Sequence, residues 1–340
     1  MQSILISRTD RIGDVVLTLP VAGALKMQAP DCRIVFLGRS YTKDVIQACT
    51  HVDAFMDWSE LEVLPLEEQV ARFRQERLDT VIHVFPDPRI ARVAAAAAIP
   101  RRIGTSRRWY HWLTCNHRVR LRRSDSTRHE SQLNLALLTP LGIAVPEATL
   151  DVVGLVGLRA RSPLPQNIDK LLQEASFHLV LHPRSKGSAR EWPLEHYADL
   201  MNALATANIR FLLTGTAAEA ADLDTLVSLC RHPDRVTNLC GQLKLPELMT
   251  LLSLADGMVG ASTGPVHLAA ALGTRTLGLY PPIRPMDSGR WGPLGSRAES
   301  ISSRPVGACA ACRTSLSCAC MGAIGVKAVA AHITAWMADR

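Results

Sequence analysis

Five short stretches hold residue types whose spacing suits chemistry. The first is Arg8-Thr9-Asp10-Arg11-Ile12-Gly13-Asp14, directly after the apolar run Ile4-Leu5-Ile6. Gly13 suits a tight passage from strand to helix. Asp14 then falls near the helix start, where free amides and the helix dipole favour a carboxylate. There it is either an ordinary helix cap or a general base for a hydroxyl nucleophile. Asp10 offers the same chemistry, and spacing does not separate the two. The second stretch runs from His182 to Pro193, HPRSKGSAREWP, a strand end followed by small residues, hydroxyls and cations. Ser185, Lys186, Ser188, Arg190 and the backbone amides suit a diphosphate, against the plainer reading of a solvated loop. The third stretch is Gly260-Ala261-Ser262-Thr263-Gly264-Pro265-Val266-His267. With a helix starting near Pro265, the amides of residues 263–267 and the Thr263 hydroxyl form an anion site at a helix N-terminus. His267 either donates to phosphate or packs inside the helix. The fourth, Gly215-Thr216-Ala217-Ala218-Glu219, places Glu219 after a strand, as an acceptor from ribose hydroxyls or as an exposed helix residue. The fifth is the set Cys309, Cys312, Cys318 and Cys320, spaced C-x2-C-x5-C-x-C. Its thiolates either hold a structural zinc or iron ion or stay free.

Several common site signatures are missing from the sequence. It contains neither G-x-G-x-x-G nor G-x-x-x-x-G-K-[ST], which weighs against dinucleotide and P-loop sites. Asp222-Leu223-Asp224 has the D-x-D spacing of metal-dependent sugar transferases, but it falls within a helical pattern and reads as a solvated face.

The charge is concentrated. Residues 101–129 hold nine arginines against one acidic residue, Asp125, a formal +8. The whole chain carries +7, so the remainder sums to −1. Trp109, Tyr110 and Trp112 lie inside this segment. Arginine beside aromatic residues suits an anionic membrane face, an acidic glycan or nucleic acid, or is a solvated loop. No helix-turn-helix, zinc-finger or RNA-binding signature accompanies it, so nucleic acid is not an expected partner.

The elements that must position these residues alternate. Apolar runs at 3–7, 33–37, 80–84, 178–182, 209–214, 257–260 and 276–280 predict strands. Amphipathic stretches at 14–28, 40–48, 66–76, 89–98, 130–139, 194–207, 217–229, 246–254, 264–272 and 323–338 predict helices. Near-continuous apolar strands between helices imply α/β architecture with parallel sheets covered on both faces. A length of 340 residues fits two domains. SPLPQN at 162–167 reads as the linker between them. The halves echo one another, each opening with a strand, a polar loop and a helix. Ligands of such sheets bind at the carboxyl ends of the strands, so a cleft between two facing domains is the expected site. Hydrophobic residues at 47% and charged residues at 20% describe an ordinary globular chain. No apolar run reaches the roughly 18–20 residues of a membrane span, and charged residues interrupt any signal-peptide core. Nine cysteines, mostly scattered, suit a reducing compartment, so a cytoplasmic location is expected.

In this order and at these separations, RIGDVVLTLP, the HP…WP loop, GTAAE and STGPVHLAAALG resemble glycosyltransferase family 9, the ADP-heptose:lipopolysaccharide heptosyltransferases. The resemblance implies a GT-B fold, with an acceptor-binding Rossmann-like domain over 1–160 and a nucleotide-sugar domain over 161–322. It also implies that the terminal helix, within 323–340, packs back on the first domain. It implies an inverting, metal-independent transfer of heptose from ADP-heptose to an acidic lipopolysaccharide inner-core acceptor, without a catalytic cofactor. The alternatives are a transferase for another nucleotide sugar, an epimerase-like protein or a non-catalytic member. By position, Asp14 matches the catalytic base and Glu219 the ribose ligand. Thr263, Gly264 and His267 match the diphosphate turn, with Ser185, Lys186 and Arg190 beside it. Arg190 stands where well-known members have lysine, and Ser262 where many have aspartate. The acidic, lipid-linked acceptor gives Arg8, Arg11, Arg118, Arg120, Arg122 and Arg123 an expected role, and places the enzyme peripherally on the anionic inner membrane.

Overall fold

The computed structural model describes residues 2–123, 127–174, 176–309 and 318–339. The chain divides after Arg159 into two compact units, Met1–Arg159 and Ala160–Arg340. Each is built on one six-stranded parallel sheet.

In the first unit the strands are β1 (Ser3–Ser7), β2 (Arg33–Gly38), β3 (Ala54–Asp57), β4 (Thr80–His83), β5 (Arg101–Thr105) and β6 (His117–Val119). Their spatial order is β3-β2-β1-β4-β5-β6. The second unit repeats the plan with β7 (Phe177–His182), β8 (Ile209–Leu213), β9 (Val236–Asn238), β10 (Gly257–Ala261), β11 (Arg275–Leu279) and β12 (Ala298–Ile301). Its order is β12-β11-β10-β7-β8-β9, the same winding. In both sheets the order reverses beside the first strand of the unit, between β1 and β4 and between β7 and β10. Crevices at such reversals are where doubly wound sheets take ligands. The registers place Ser7 beside His83 at one reversal and His182 beside Gly260 at the other.

The central strands are largely buried, as helices on both faces require; every residue of β1, β4 and β10 is buried. One layer of the first unit packs Leu5, Val35, Leu37 and Val81 against Trp58, Phe73, Ile90 and Val93. In the second unit Leu179, Phe211, Val259 and Leu277 share a core with Trp192, Tyr197, Leu223 and Ile333.

Three local outcomes differ from the sequence reading. The helix expected over 14–28 is two helices, Ile12–Val16 and Leu19–Gln28. Pro20 sits in the first turn of the second, where its missing amide proton does no harm, and the ladder breaks just before it. Gly13 lies inside the first of these helices, outside the left-handed region, so the strand-to-helix passage does not depend on it. The terminal helix, Val326–Ala338, packs into the second unit. Its stripe Val329, Ile333 and Trp336, at i, i+4 and i+7, is buried in that unit's core, and the Trp336 ring occupies the space a side chain on Gly257 of β10 would need. Arg275 of β11 fastens the helix end through a 2.6 Å bond to the Trp336 carbonyl.

Candidate functional sites on the two units

On the first unit the functional residues gather at the carboxyl end of β1. Arg8, the next residue, is 4% exposed and faces three carboxylates. Its Nε lies 2.6 Å from Asp10 Oδ1, one terminal nitrogen pairs with Asp14 Oδ1, and the other lies 3.4 Å from Glu130 Oε1. Arg123 pairs with the same Glu130 oxygen and donates to Asn134 Oδ1 at 3.0 Å. Asn134 in turn donates to the Leu17 carbonyl at 3.0 Å, and Thr18 Oγ1 donates to the Asp14 carbonyl at 2.8 Å. The helix Glu130–Leu135 therefore braces both the side chain and the backbone of Asp14. Asp14 itself is the third residue of the helix Ile12–Val16, where the dipole favours its charge.

This network holds three carboxylates against two guanidinium groups. Burial works against the Arg8 charge, but Asp10, Asp14 and Glu130 outweigh it and hold its pKa above the usual range. Burial pushes the Asp10 carboxyl up to about 6, with Arg8 opposing and Asp14 adding to the rise. Arg8 binds only Oδ1 of Asp14, and the Asp14 side chain keeps 18% exposure. A half-engaged, oriented carboxylate at a strand end is what proton abstraction from a hydroxyl needs.

The arginines divided by sequence into one group fall into two. Arg8 and Arg123 belong to the buried network, whereas Arg11, Arg118, Arg120 and Arg122 are exposed. Glu130, only 1% exposed, is the residue that sequence reasoning missed. Its one signal is the helix start at His129, where His129 and Gln132 cap each other.

On the second unit, the loop after β7 is organised by Glu191, also missed from sequence. Its Oε1 accepts from the Ser185 amide at 2.7 Å and from the Ser185 hydroxyl at 2.8 Å. Arg184 joins its other oxygen, at 3.2 Å, to Asp222 at 2.5 Å. The hydroxyl of Ser185 is thus engaged within the loop. Lys186 and Gly187 adopt consecutive left-handed conformations, with φ of 50° and 73°, and leave Lys186 exposed; Arg190 is buried. Trp192 anchors the loop end, its indole donating to the Ile324 carbonyl at 3.0 Å. At the end of β7, His182 Nδ1 lies 3.0 Å from Thr214 Oγ1, and burial lowers its pKa to about 4 against the pull of Glu219 and Glu191.

Glu219 caps its own turn, accepting from the Thr216 amide at 2.7 Å and the Thr216 hydroxyl at 2.9 Å on one oxygen, Oε2. Gly215 lies close against this turn: a Cβ there would sit 2.8 Å from Cys240 Sγ and 3.0 Å from Glu219 Oε2. Ser262 donates to the buried Tyr280 hydroxyl, which donates to the Trp291 carbonyl at 2.5 Å. Thr263 is the cap residue of the helix Gly264–Ala271, yet its side chain accepts from no amide of that helix. Its hydroxyl is buried and has no hydrogen-bond partner among the described residues. A buried unmet hydroxyl at a helix N-terminus is costly in the free protein and suits a ligand oxygen. His267, one turn on, is 3% exposed, and its amide donates to the Thr263 carbonyl at 3.3 Å.

Of the four-cysteine set, Cys312 lies outside the described residues, and Cys309 hydrogen-bonds Cys320. Among the described residues no group of three or more His, Cys, Asp or Glu side chains is disposed to hold a metal ion, and none of the described cysteines is in a disulfide. No helix among them is long and apolar enough to cross a membrane.

Known proteins resemble this chain in sequence and in folded form. A Haemophilus influenzae protein named only provisionally, as a glycosyltransferase, is 26% identical over 314 residues, 90% of each chain. Lipopolysaccharide heptosyltransferase 3 of Escherichia coli is 23% identical over 285 residues, 79% of this chain and 80% of its own. The solved structure of the E. coli ADP-heptose lipopolysaccharide heptosyltransferase II superposes with a TM-score of 0.76 over 100% of this chain and 99% of its own, at 18% identity. The two Rossmann-like sheets are those of the GT-B class. The sequence model of glycosyltransferase family 9 (heptosyltransferase) matches residues 70–319, well over half of the chain. The chain therefore belongs to glycosyltransferase family 9, and is a glycosyltransferase.

Proposed function

We propose that this glycosyltransferase moves a heptose from ADP-heptose to an acidic lipopolysaccharide inner-core saccharide, with inversion at the anomeric carbon and Asp14 as general base. The observation that carries this reading is the asymmetric anchoring of Asp14: Arg8 fixes Oδ1 while the side chain stays part-exposed at the end of β1. The acceptor hydroxyl attacks the anomeric carbon as the bond to ADP breaks, and its proton passes to Asp14. Positioned general bases contribute about 10²–10⁴-fold. Negative charge builds on the departing diphosphate. Lys186, Arg190, the Thr263 hydroxyl and the amides of Gly264 and Val266 receive it, each such donor being worth about 3 kcal/mol in a water-poor site. With fixed cations and amides in this role, the reaction as proposed runs without a metal ion. Glu219 takes the ribose hydroxyls with the oxygen its capping bonds leave over.

Arg11, Arg118, Arg120 and Arg122 meet the carboxylates and phosphates of the acceptor. Arg8 and Arg123 serve it indirectly by holding the base. Each cation near an anionic leaflet adds about 1 kcal/mol of attraction, which keeps the enzyme on the cytoplasmic face of the inner membrane, where a lipid-linked acceptor is displayed. The names of the relatives support the donor and the acceptor class.

The test is to incubate the protein with ADP-heptose, with and without deacylated inner-core acceptor, and follow both ADP and the sugar. Acceptor-dependent ADP release with a glycosylated product is expected. A change in the sugar without acceptor would replace the reading by epimerisation. Transfer from another nucleotide sugar in preference would replace the donor and leave the reaction class standing.

A further inference from the structure

The apolar surface beside the arginines is used by none of these steps. Trp109, Trp112 and Leu113 are 75%, 61% and 79% exposed, three large hydrophobic side chains within five residues. They stand at the tip of the connection between β5 and β6, the outer strands on that side of the first sheet. From Arg101 to Arg123 this segment contains eight arginines and no acidic residue. Arg107 and Arg108 immediately precede the tip, and Arg118, Arg120 and Arg122 follow it, all exposed.

The tip is firmly built. His111, in the middle of the three apolar residues, is fully buried, and its Nδ1 lies 3.0 Å from the Thr105 carbonyl oxygen. It packs into the space left by Gly104, where a Cβ would come within 2.6 Å of it. Trp112 donates to the Ser106 carbonyl at 3.1 Å, and the Arg118 guanidinium lies over its ring at 4.6 Å. Exposure of Trp109 and Leu113 is thus held by a fixed base, and little ordering remains to be done on binding.

We propose that this tip inserts into the headgroup and upper acyl region of an anionic bilayer, with Trp109, Trp112 and Leu113 as the wedge and the flanking arginines on lipid phosphates. The idea rests on the reading above only in placing the enzyme at a membrane. Indole rings and arginines gather at lipid interfaces because each joins an apolar body to a polar edge. A basic rim around an apolar centre is the pattern of interfacial anchors. A saccharide fits the tip less well. Leu113 offers a sugar nothing, and Trp112 has its indole N–H bonded and one face covered by Arg118. A second copy of the chain would set two acid-free arginine clusters against each other, which like charge opposes.

Sedimentation with phosphatidylethanolamine–phosphatidylglycerol vesicles containing no saccharide tests this. The expected result is binding with blue-shifted tryptophan emission and quenching by lipids brominated in the upper acyl chain. Salt should weaken this binding without abolishing it. The double variant Trp109→Ser/Leu113→Ser should lose about tenfold or more of vesicle affinity. Its turnover of a water-soluble acceptor should match the parent, since neither residue has a part in transfer. Unchanged affinity in the double variant, or binding without any emission shift, would reduce the attachment to surface charge and overturn the proposal. So would vesicle-free self-association that the variant abolishes. No readout on vesicles depends on transfer, so failure of the heptosyl reading leaves insertion intact, and soluble-acceptor turnover without vesicle binding removes insertion alone.

Discussion

Arg8 is a single buried guanidinium answering to Asp10, Asp14 and Glu130, and the state of each carboxylate decides how strongly it draws on the others. Replacing Asp14 by Asn keeps the shape of the side chain and removes its basicity. Turnover should fall by about 10²–10⁴-fold, while calorimetric affinity for ADP stays within twofold or so, because the diphosphate residues belong to the other unit. Turnover close to the parent's would move the base to Asp10. The raised pKa of Asp10, about 6, supplies a second expectation. Above pH 6 Asp10 is charged and shares Arg8. Below it Asp10 is neutral and Arg8 is left to Asp14 and Glu130, so the hold on the base changes. The pH profile of kcat/KM should therefore show an acid limb near 6 that Asp10→Asn displaces or abolishes; an unchanged limb in that variant would assign it to another group.

At the scale of elements, what the sequence made legible and what it hid follow from burial. The strands with continuous apolar runs, β1, β2, β4, β7, β8, β10 and β11, were predictable because both faces are covered. The strands that escaped include all four sheet edges, β3, β6, β9 and β12, together with β5 beside an edge. Arg101-Arg102-Ile103-Gly104-Thr105 and Ala298-Glu299-Ser300-Ile301 carry charge because part of each strand meets solvent, so no hydrophobic run marks them. The loops at the carboxyl ends were legible for the opposite reason: polar residues cluster there within apolar surroundings. The tertiary partners of those residues were not, because Glu130 and Glu191 reach Arg8, Arg123 and Ser185 through contacts that sequence spacing does not encode. Thr263 is the element-level residue with the sharpest test. Its hydroxyl is buried and has no partner among the described residues, so Thr263→Val removes a liability and keeps the shape. The melting temperature without ligand should stay the same or rise, whereas the stabilisation given by ADP should shrink, with Kd weaker by about tenfold for a lost hydrogen bond to a charged group. A variant that melts lower yet binds ADP as the parent does would make Thr263 a packing residue.

Across the whole molecule, each unit ends a central strand in an imidazole that burial keeps neutral. His83 closes β4, fully buried, with its pKa lowered to about 3 by burial and further by His111 and Arg102. His182 closes β7, with its pKa lowered to about 4. Unfolded histidines bind protons below about 6.5. Between pH 4 and 6, then, the unfolded chain carries two protons on these side chains that the folded chain refuses. Asp10 acts the other way: folded, it holds a proton up to about 6 that the unfolded side chain releases near 4. The balance leaves the unfolded state with about one extra proton, and a stability that rises by about 1.4 kcal/mol per pH unit through this window. His111, whose pKa burial also lowers, adds in the same direction. The histidine contribution is complete above pH 6.5 and is lost as pH falls toward 4, so denaturant midpoints measured across that range should climb steeply and then level. His83→Gln removes one of the two histidine protons and leaves His182 balanced against Asp10, so the climb for unfolding of the whole chain should flatten to near zero, leaving the plateau above pH 6.5 to report any packing cost separately. If the slope persisted in full in His83→Gln, His83 would have to be solvated and charged at pH 5 in the folded protein, and the neutral buried imidazole at the β1–β4 reversal would be wrong.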